Sequence, residues 1–172
     1  SPWLQQAWAG IDPAQLWDCH VHLAGIGDGG SGIVVGPQLS SPLHPLHYAQ
    51  RLFYMNAGCA HNSPGRVDAS VVDRLLNQCE AMAPGFRVLL LAFEWARDET
   101  GAPVRERSTF HVPDTYAADL AARHPHAFEW AASIHPYAPD ALDRLDAAKA
   151  RGTRAVKWLP SAQGIDPSSE RC

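Results

Sequence analysis

The sequence predicts an α/β protein assembled from parallel β/α units. Three observations carry this. Strand-sized apolar runs alternate with amphipathic helical stretches along most of the chain. One of those runs, residues 86–93, is unbroken apolar sequence from Val88 to Phe93, as befits a parallel strand covered on both faces. Proline and glycine stand at the junctions, at Pro84, Gly85, Pro139, Gly152 and Pro160.

The first strand is expected at residues 16–22. A long stretch rich in Gly, Pro, Ser and His follows, residues 25–64, within which 47–56 reads as a short helix. A connection of that length reads as a lid or binding loop rather than a plain connector. The first full helix is predicted over 68–82, because Val71, Val72, Leu75, Leu76 and Cys79 fall on one face. The second strand, 86–93, ends in Glu94, and 96–112 reads as polar loop. A helix over 114–123 follows with Asp114 as its N-cap. The third strand, 128–134, ends in His135. Another helix runs from Pro139 to Ala150, with Gly152 as its C′ residue. The fourth strand is predicted over 154–159. Strand and helix in this order imply a parallel sheet with right-handed crossovers. A (β/α)8 barrel and a doubly wound sheet both begin this way.

Composition narrows the function classes. The chain has 172 residues, 46% hydrophobic and 19% charged, a balance that supports a buried core in a single domain. The net charge is −4 and no basic stripe is present, which argues against nucleic acid as a partner. No apolar run is long enough to span a membrane. The expected partner is therefore a small-molecule substrate. The four cysteines, Cys19, Cys59, Cys79 and Cys172, form no CxxC pair and suggest no disulfide framework. Cys19, inside the first strand, is expected to be a buried thiol. The setting read from this is reducing and cytoplasmic, with a leader upstream of Ser1 left open.

The chemistry is concentrated in Asp18-Cys19-His20-Val21-His22. Alternate side chains of a strand share a face, so Asp18, His20 and His22 should project together. Two imidazoles so placed converge on one metal ion, and neutral imidazole is a common zinc ligand. They also stand at the C-terminal end of the strand, where parallel α/β folds carry their active sites. The plain alternative is two unrelated histidines in a chain that holds nine.

The segment 18–23 resembles the opening signature of amidohydrolase-superfamily barrels. Ser133-Ile134-His135-Pro136-Tyr137, Ala155-Val156-Lys157-Trp158-Leu159-Pro160 and Gly164-Ile165-Asp166-Pro167 look like the amidohydrolase-related (amidohydrolase 2) branch, which includes hydrolases and some non-oxidative decarboxylases. The resemblance implies that residues 1–172 are the N-terminal half of a (β/α)8 TIM-like barrel, strands one to four, truncated at the C-terminus. It implies a metal-dependent hydrolase acting on a C–N or C–O bond, with a divalent metal, zinc first, held by His20 and His22. The remaining ligands of that family come from strands five, six and eight, for which this chain has no matching positions. A non-oxidative decarboxylase on the same scaffold and a non-catalytic metal-binding barrel fragment are the rival expectations. The segment alone is expected to lack turnover and to bind zinc weakly.

Three further residues are candidates. Lys157 lies in an otherwise apolar strand and needs a partner or an opening. It is a catalytic candidate, as the carboxylated lysine that bridges two metals in some superfamily members. Pairing with a substrate carboxylate or a neighbouring acid is the second option, and a stem reaching water at the rim is the third. His135 is the other catalytic candidate and Glu94 a substrate-binding one, because each ends a strand facing the same mouth. Asp18 reads as support for the site. The glycine-rich stretch 27–32 lacks the Lys-Ser/Thr ending of a phosphate loop and reads as a flexible loop over the site. His44, His47, His61 and His111 are expected to be exposed or helix-flanking. Trp17, Trp95, Trp130 and Trp158 are expected in the core.

Overall fold

The computed structural model describes residues 2–58 and 65–172. His61 and Cys59 lie outside the described residues. Four strands, β1 (Trp17–His22), β3 (Arg87–Leu91), β5 (Phe128–Ala132) and β6 (Ala155–Val156), form one curled, all-parallel sheet in the order β1-β3-β5-β6. A second, two-stranded antiparallel sheet joins β2 (Val34–Val35) to β4 (Phe110–His111). Seven helices accompany these among the described residues. They are α1 (Pro2–Ala7), α2 (Pro37–Ser40), α3 (Pro45–Ala57), α4 (Val67–Glu80), α5 (Asp114–Arg123), α6 (Ala141–Ala150) and α7 (Pro160–Gln163). None of the described helices is long and apolar enough to cross a membrane.

The sheet has two faces with different jobs. On the helix side, Val88, Leu90 and Ala92 of the β3 run and Phe128, Trp130 and Ala132 of β5 are buried. They pack with Val72 and Cys79 of α4, Ala117, Ala118 and Leu120 of α5, and Ala148 of α6. This is the largest apolar cluster among the described residues, and one face of α4 fills it. On the opposite face Leu89, Leu91 and Ala131 form a smaller apolar layer against Trp17. Below that layer, Glu129 binds both Arg87 and Arg154, and both guanidinium groups lie over the Trp17 ring at 5.1 and 5.7 Å. These residues close the N-terminal end of the sheet's concave side.

Several expected boundaries move inward. The third and fourth strands pair only over Phe128–Ala132 and Ala155–Val156, because the residues after them turn to make side-chain and loop contacts. Asp114 is the first helical residue of α5 and Pro113 is its N-cap. The Asp114 carboxylate instead accepts the Ser133 N–H at 2.7 Å. Gly152 does adopt a positive φ, 79°, after α6. The stretch expected to be polar loop at 96–112 contains β4, and 25–64 contains β2, α2 and α3.

The glycine-rich segment is pinned down. Asp68, 2% exposed at the start of α4, accepts the N–H groups of Ile26 and Gly27 at 2.7 and 3.2 Å and the Ser31 hydroxyl. Asp28 reciprocates by accepting the first N–H groups of α4, from Val67 and Asp68, at 2.9 and 3.1 Å. The flexible loop expected over the site is thus tied to a helix N-terminus by two carboxylates. Gly25 permits the close approach, since a Cβ there would collide with the Asp68 carboxylate.

Candidate functional site

β1 carries a bulge. Trp17 and Asp18 lie opposite Arg87 and Val88, but Val21 lies opposite Leu90, so β1 holds one residue more than its partner between these points. The extra residue reverses the side-chain alternation. Asp18 pairs with Val88, on the helix side, while His22 pairs with Leu91, on the concave side. The shared face expected for Asp18, His20 and His22 is therefore corrected. Asp18 leaves it and uses its Oδ1 to accept the His20 N–H at 3.0 Å, holding the bulge in shape. The same irregularity leaves the Cys19 thiol exposed rather than buried. Cys79 is buried, and Cys19, Cys79 and Cys172 are all free thiols.

His20 and His22 do come together. Their Nε2 atoms are 2.9 Å apart and their rings are tilted 46° to each other, with centroids 4.9 Å apart. Two nitrogens that each bind one cation at about 2.0–2.1 Å can be at most about 4.2 Å apart. The pair meets that condition through the distal nitrogen of each ring. Partial burial, the Lys157 charge and then His20 hold the His22 imidazole down at about 4. His22 is therefore neutral at physiological pH, the form that ligates metals. Among the described residues, no group of three or more His, Cys, Asp or Glu side chains gathers as a metal-binding set. The pair by itself could supply at most two of the three protein ligands that catalytic zinc sites use.

Lys157 follows β6 directly. Its backbone N–H donates to Ala132 O at 2.7 Å, and strand alternation after the Ala131–Ala155 pair puts its side chain on the concave face with His22. The ammonium is buried, with no hydrogen-bond partner among the described residues, and lies 4.8 Å from the Phe93 ring centroid. Burial alone pushes it below the ordinary lysine range.

The other strand-end residues serve a buried polar network. Glu94, 2% exposed, pairs with Arg144 and, at 3.7 Å, with Arg97, and its Oε1 accepts the Trp95 N–H at 2.8 Å. Arg144 also binds Asp114 at 2.8 Å. His135, fully buried, accepts the Tyr137 N–H on Nδ1 at 3.1 Å, so its Nε2–H donates to Gln163 O at 3.0 Å. Burial holds that imidazole below its ordinary value. Glu94 and His135 thus lie just past the ends of β3 and β5, and every side-chain polar atom of the two is engaged inside the protein.

Ser133 and Gln163 are the residues that sequence reasoning missed. The Ser133 hydroxyl donates to Lys157 O at 3.1 Å and accepts the Glu94 N–H at 3.0 Å and Gln163 Nε2 at 3.1 Å. Gln163 Oε1 accepts the Leu159 N–H at 2.6 Å. Together they stitch the C-terminal ends of β3, β5 and β6. The available signal was polarity at the ends of apolar runs.

The remaining aromatic and histidine expectations divide. Trp130 is core, at 2% exposure, whereas Trp158 is 39% exposed because β6 has no strand on its far side among the described residues. His44 and His47 are exposed on α3 and its cap. His111 is not a free loop residue. It belongs to β4, its Nδ1 is buried, and its ring stacks on Trp95 at 4.3 Å, with Arg105 over the same indole at 5.3 Å.

An α/β scaffold with a histidine pair at the C-terminal edge of a parallel sheet is the class that fold and site define. No family model matches the chain, and neither a curated protein nor a solved structure matches it.

Proposed function

We propose that the chain is part of a metal-dependent hydrolase of the amidohydrolase type, built on a (β/α)8 barrel. The observation that carries this reading is the convergence of the His20 and His22 Nε2 atoms to 2.9 Å at the C-terminal end of β1. The parallel order of the four strands and the open concave face support the barrel.

His20 and His22 would hold the cation, with zinc first by ligand chemistry and manganese or iron compatible. When bound, such a cation supplies Lewis acidity, making water more acidic and polarising the scissile C–N or C–O bond. The reaction adds the hydroxyl of water to the carbonyl-like carbon and its proton to the departing nitrogen or oxygen. This chain's own contributions are positional. The bulge fixed by Asp18 aims both imidazoles the same way. The Ser133–Gln163 network holds the neighbouring strand ends. His135, with both nitrogens occupied, acts as an anchor for α7 rather than as a proton carrier.

The test is turnover by the protein as its gene encodes it, loaded with zinc, against a panel of amides, lactones and esters. Hydrolysis that disappears on chelation and in His20→Ala supports the reading. Retained activity in His20→Ala removes the ligand assignment. Release of carbon dioxide from carboxylic acids without uptake of water replaces hydrolysis by decarboxylation.

A further inference from the structure

We propose that Lys157 is the substrate-recognition residue of this site, and that it binds a carboxylate carried by the substrate. The molecule hydrolysed beside His20 and His22 is then an organic anion. The inference rests on the hydrolase reading and names its substrate class.

The cations along the sheet have nearly all found anions. Arg144 holds Glu94 and Asp114, Arg97 approaches Glu94, and Arg87 and Arg154 share Glu129. Those same contacts occupy Glu94, Asp114 and Glu129, and Asp18 of β1 lies on the helix side of the sheet. Lys157 is left with no acceptor among the described residues, although its ammonium is shielded from water. That removes the option of a neighbouring acid as its partner. The Phe93 ring at 4.8 Å offers the charge only a weak, one-sided attraction. A buried charge without a counter-ion is unfavourable, so an arriving anion gains both the ion pair and relief of that penalty.

Position adds the second argument. Lys157 shares the concave face with His22, and its charge is felt at the His22 ring. Its backbone is fixed by the bond to Ala132, and its ammonium stands on a four-carbon stem of rotatable bonds. A molecule anchored there by a carboxylate lies with its apolar body against Phe93 and the rest within reach of the histidines. The chemistry also favours an anchor over a leaving group. Decarboxylation moves negative charge out of the carboxylate, and a cation paired to it opposes that movement. Cleavage of a different bond in the same molecule leaves the ion pair intact.

The chain contains two lysines, Lys149 and Lys157, and Lys149 is exposed on α6. Lysine labelled with carbon-13 at Cε therefore gives two signals with an internal reference. The chelator-treated chain is titrated with benzoate and, separately, with benzamide, which keeps the ring and removes the charge. Benzoate is expected to move the Lys157 signal saturably and to raise the pH at which it titrates, leaving Lys149 unmoved. Benzamide is expected to do neither. Lys157→Gln should weaken benzoate binding by roughly tenfold to a hundredfold, the span of a charge-assisted hydrogen bond. An unmoved Lys157 signal, an equal response to benzamide, or a carbamate carbon forming on Lys157 from labelled bicarbonate would each overturn the proposal. If Lys157→Gln does not fold, the labelled parent chain still decides. No metal is present in this experiment, so its failure leaves zinc binding by the histidines standing, and failure of zinc binding leaves this result standing.

Discussion

Replacing Ser133 by alanine tests whether one hydroxyl holds three strand ends in place. Ser133 is 1% exposed and its hydroxyl joins Glu94 N–H, Gln163 Nε2 and Lys157 O. In Ser133→Ala the Glu94 N–H becomes a buried donor with no partner, which costs about 1–3 kcal/mol. Gln163 Nε2 retains its longer contact to Glu94 O at 3.5 Å, so its loss is partial. The Lys157 carbonyl loses one donor, and each of these two smaller losses is worth about 0.5–1.5 kcal/mol. The expected destabilisation is about 2–6 kcal/mol, a large part of the roughly 5–15 kcal/mol that holds a domain together. With a urea dependence of about 2 kcal/mol per molar, the unfolding midpoint should fall by about 1–3 M. Ser168→Ala is the control, because that hydroxyl is exposed and bonds only Asp166. If Ser133→Ala unfolds within 0.2 M of the parent while Ser168→Ala behaves the same way, the stitching argument is refuted.

Two other outcomes follow from the same structure. Asp68→Asn should free the segment 25–33 from α4, because an amide oxygen holds the Ile26 and Gly27 N–H groups less strongly than a carboxylate does. Hydrogen exchange at those two amides should accelerate by at least roughly tenfold, and unchanged exchange would show that the carboxylate does not hold the loop. Acid should also destabilise the fold before the carboxylates titrate. His135 faces Gln163 O, Arg97, Glu94 and Arg144, and burial keeps it neutral in the folded state. The unfolded chain then binds more protons below about pH 6.5, so stability is complete above that pH and declines as pH falls through it. His111 and His22, also held below their ordinary values, act in the same direction. The urea midpoint should be lower at pH 5.5 than at pH 7.5, and a flat or rising midpoint would contradict the burial of His135.

Much of the scaffold was legible because it depends on periodicity. The spacing of Val71, Val72 and Cys79 announced α4, and all three are buried, Val72 and Cys79 against the sheet and Val71 against Ile26 and Met55. The run of leucines at 89–91 announced a strand covered on both faces. The helix near 114–123 was located to within a residue, its N-cap being Pro113 rather than Asp114. The bulge was not legible, since one extra residue in a six-residue strand leaves no mark on composition. Asp18 and Cys19 were misplaced for that reason, while His20 and His22 survived because both lie at or beyond the bulge. Glu94 and His135 lie in the loops just past β3 and β5 rather than at the strand ends themselves. Their partners, Arg144 50 residues away and Gln163 28 residues away, are fixed only by the fold. Long-range pairing of this kind decides whether a polar residue faces a ligand or the protein, and local sequence does not record it.

The central claim is that two imidazoles on β1 share one cation. Nitrogen-15 spectra of the histidine side chains, recorded while zinc is added to the chain at pH 7, address it directly. The account predicts that the Nε2 resonances of His20 and His22 shift together at one zinc equivalent, with Nδ1 of both rings protonated. It predicts that His20→Ala abolishes the shift at His22. A shift confined to one of the two rings, or zinc taken up elsewhere while both stay unchanged, would contradict it.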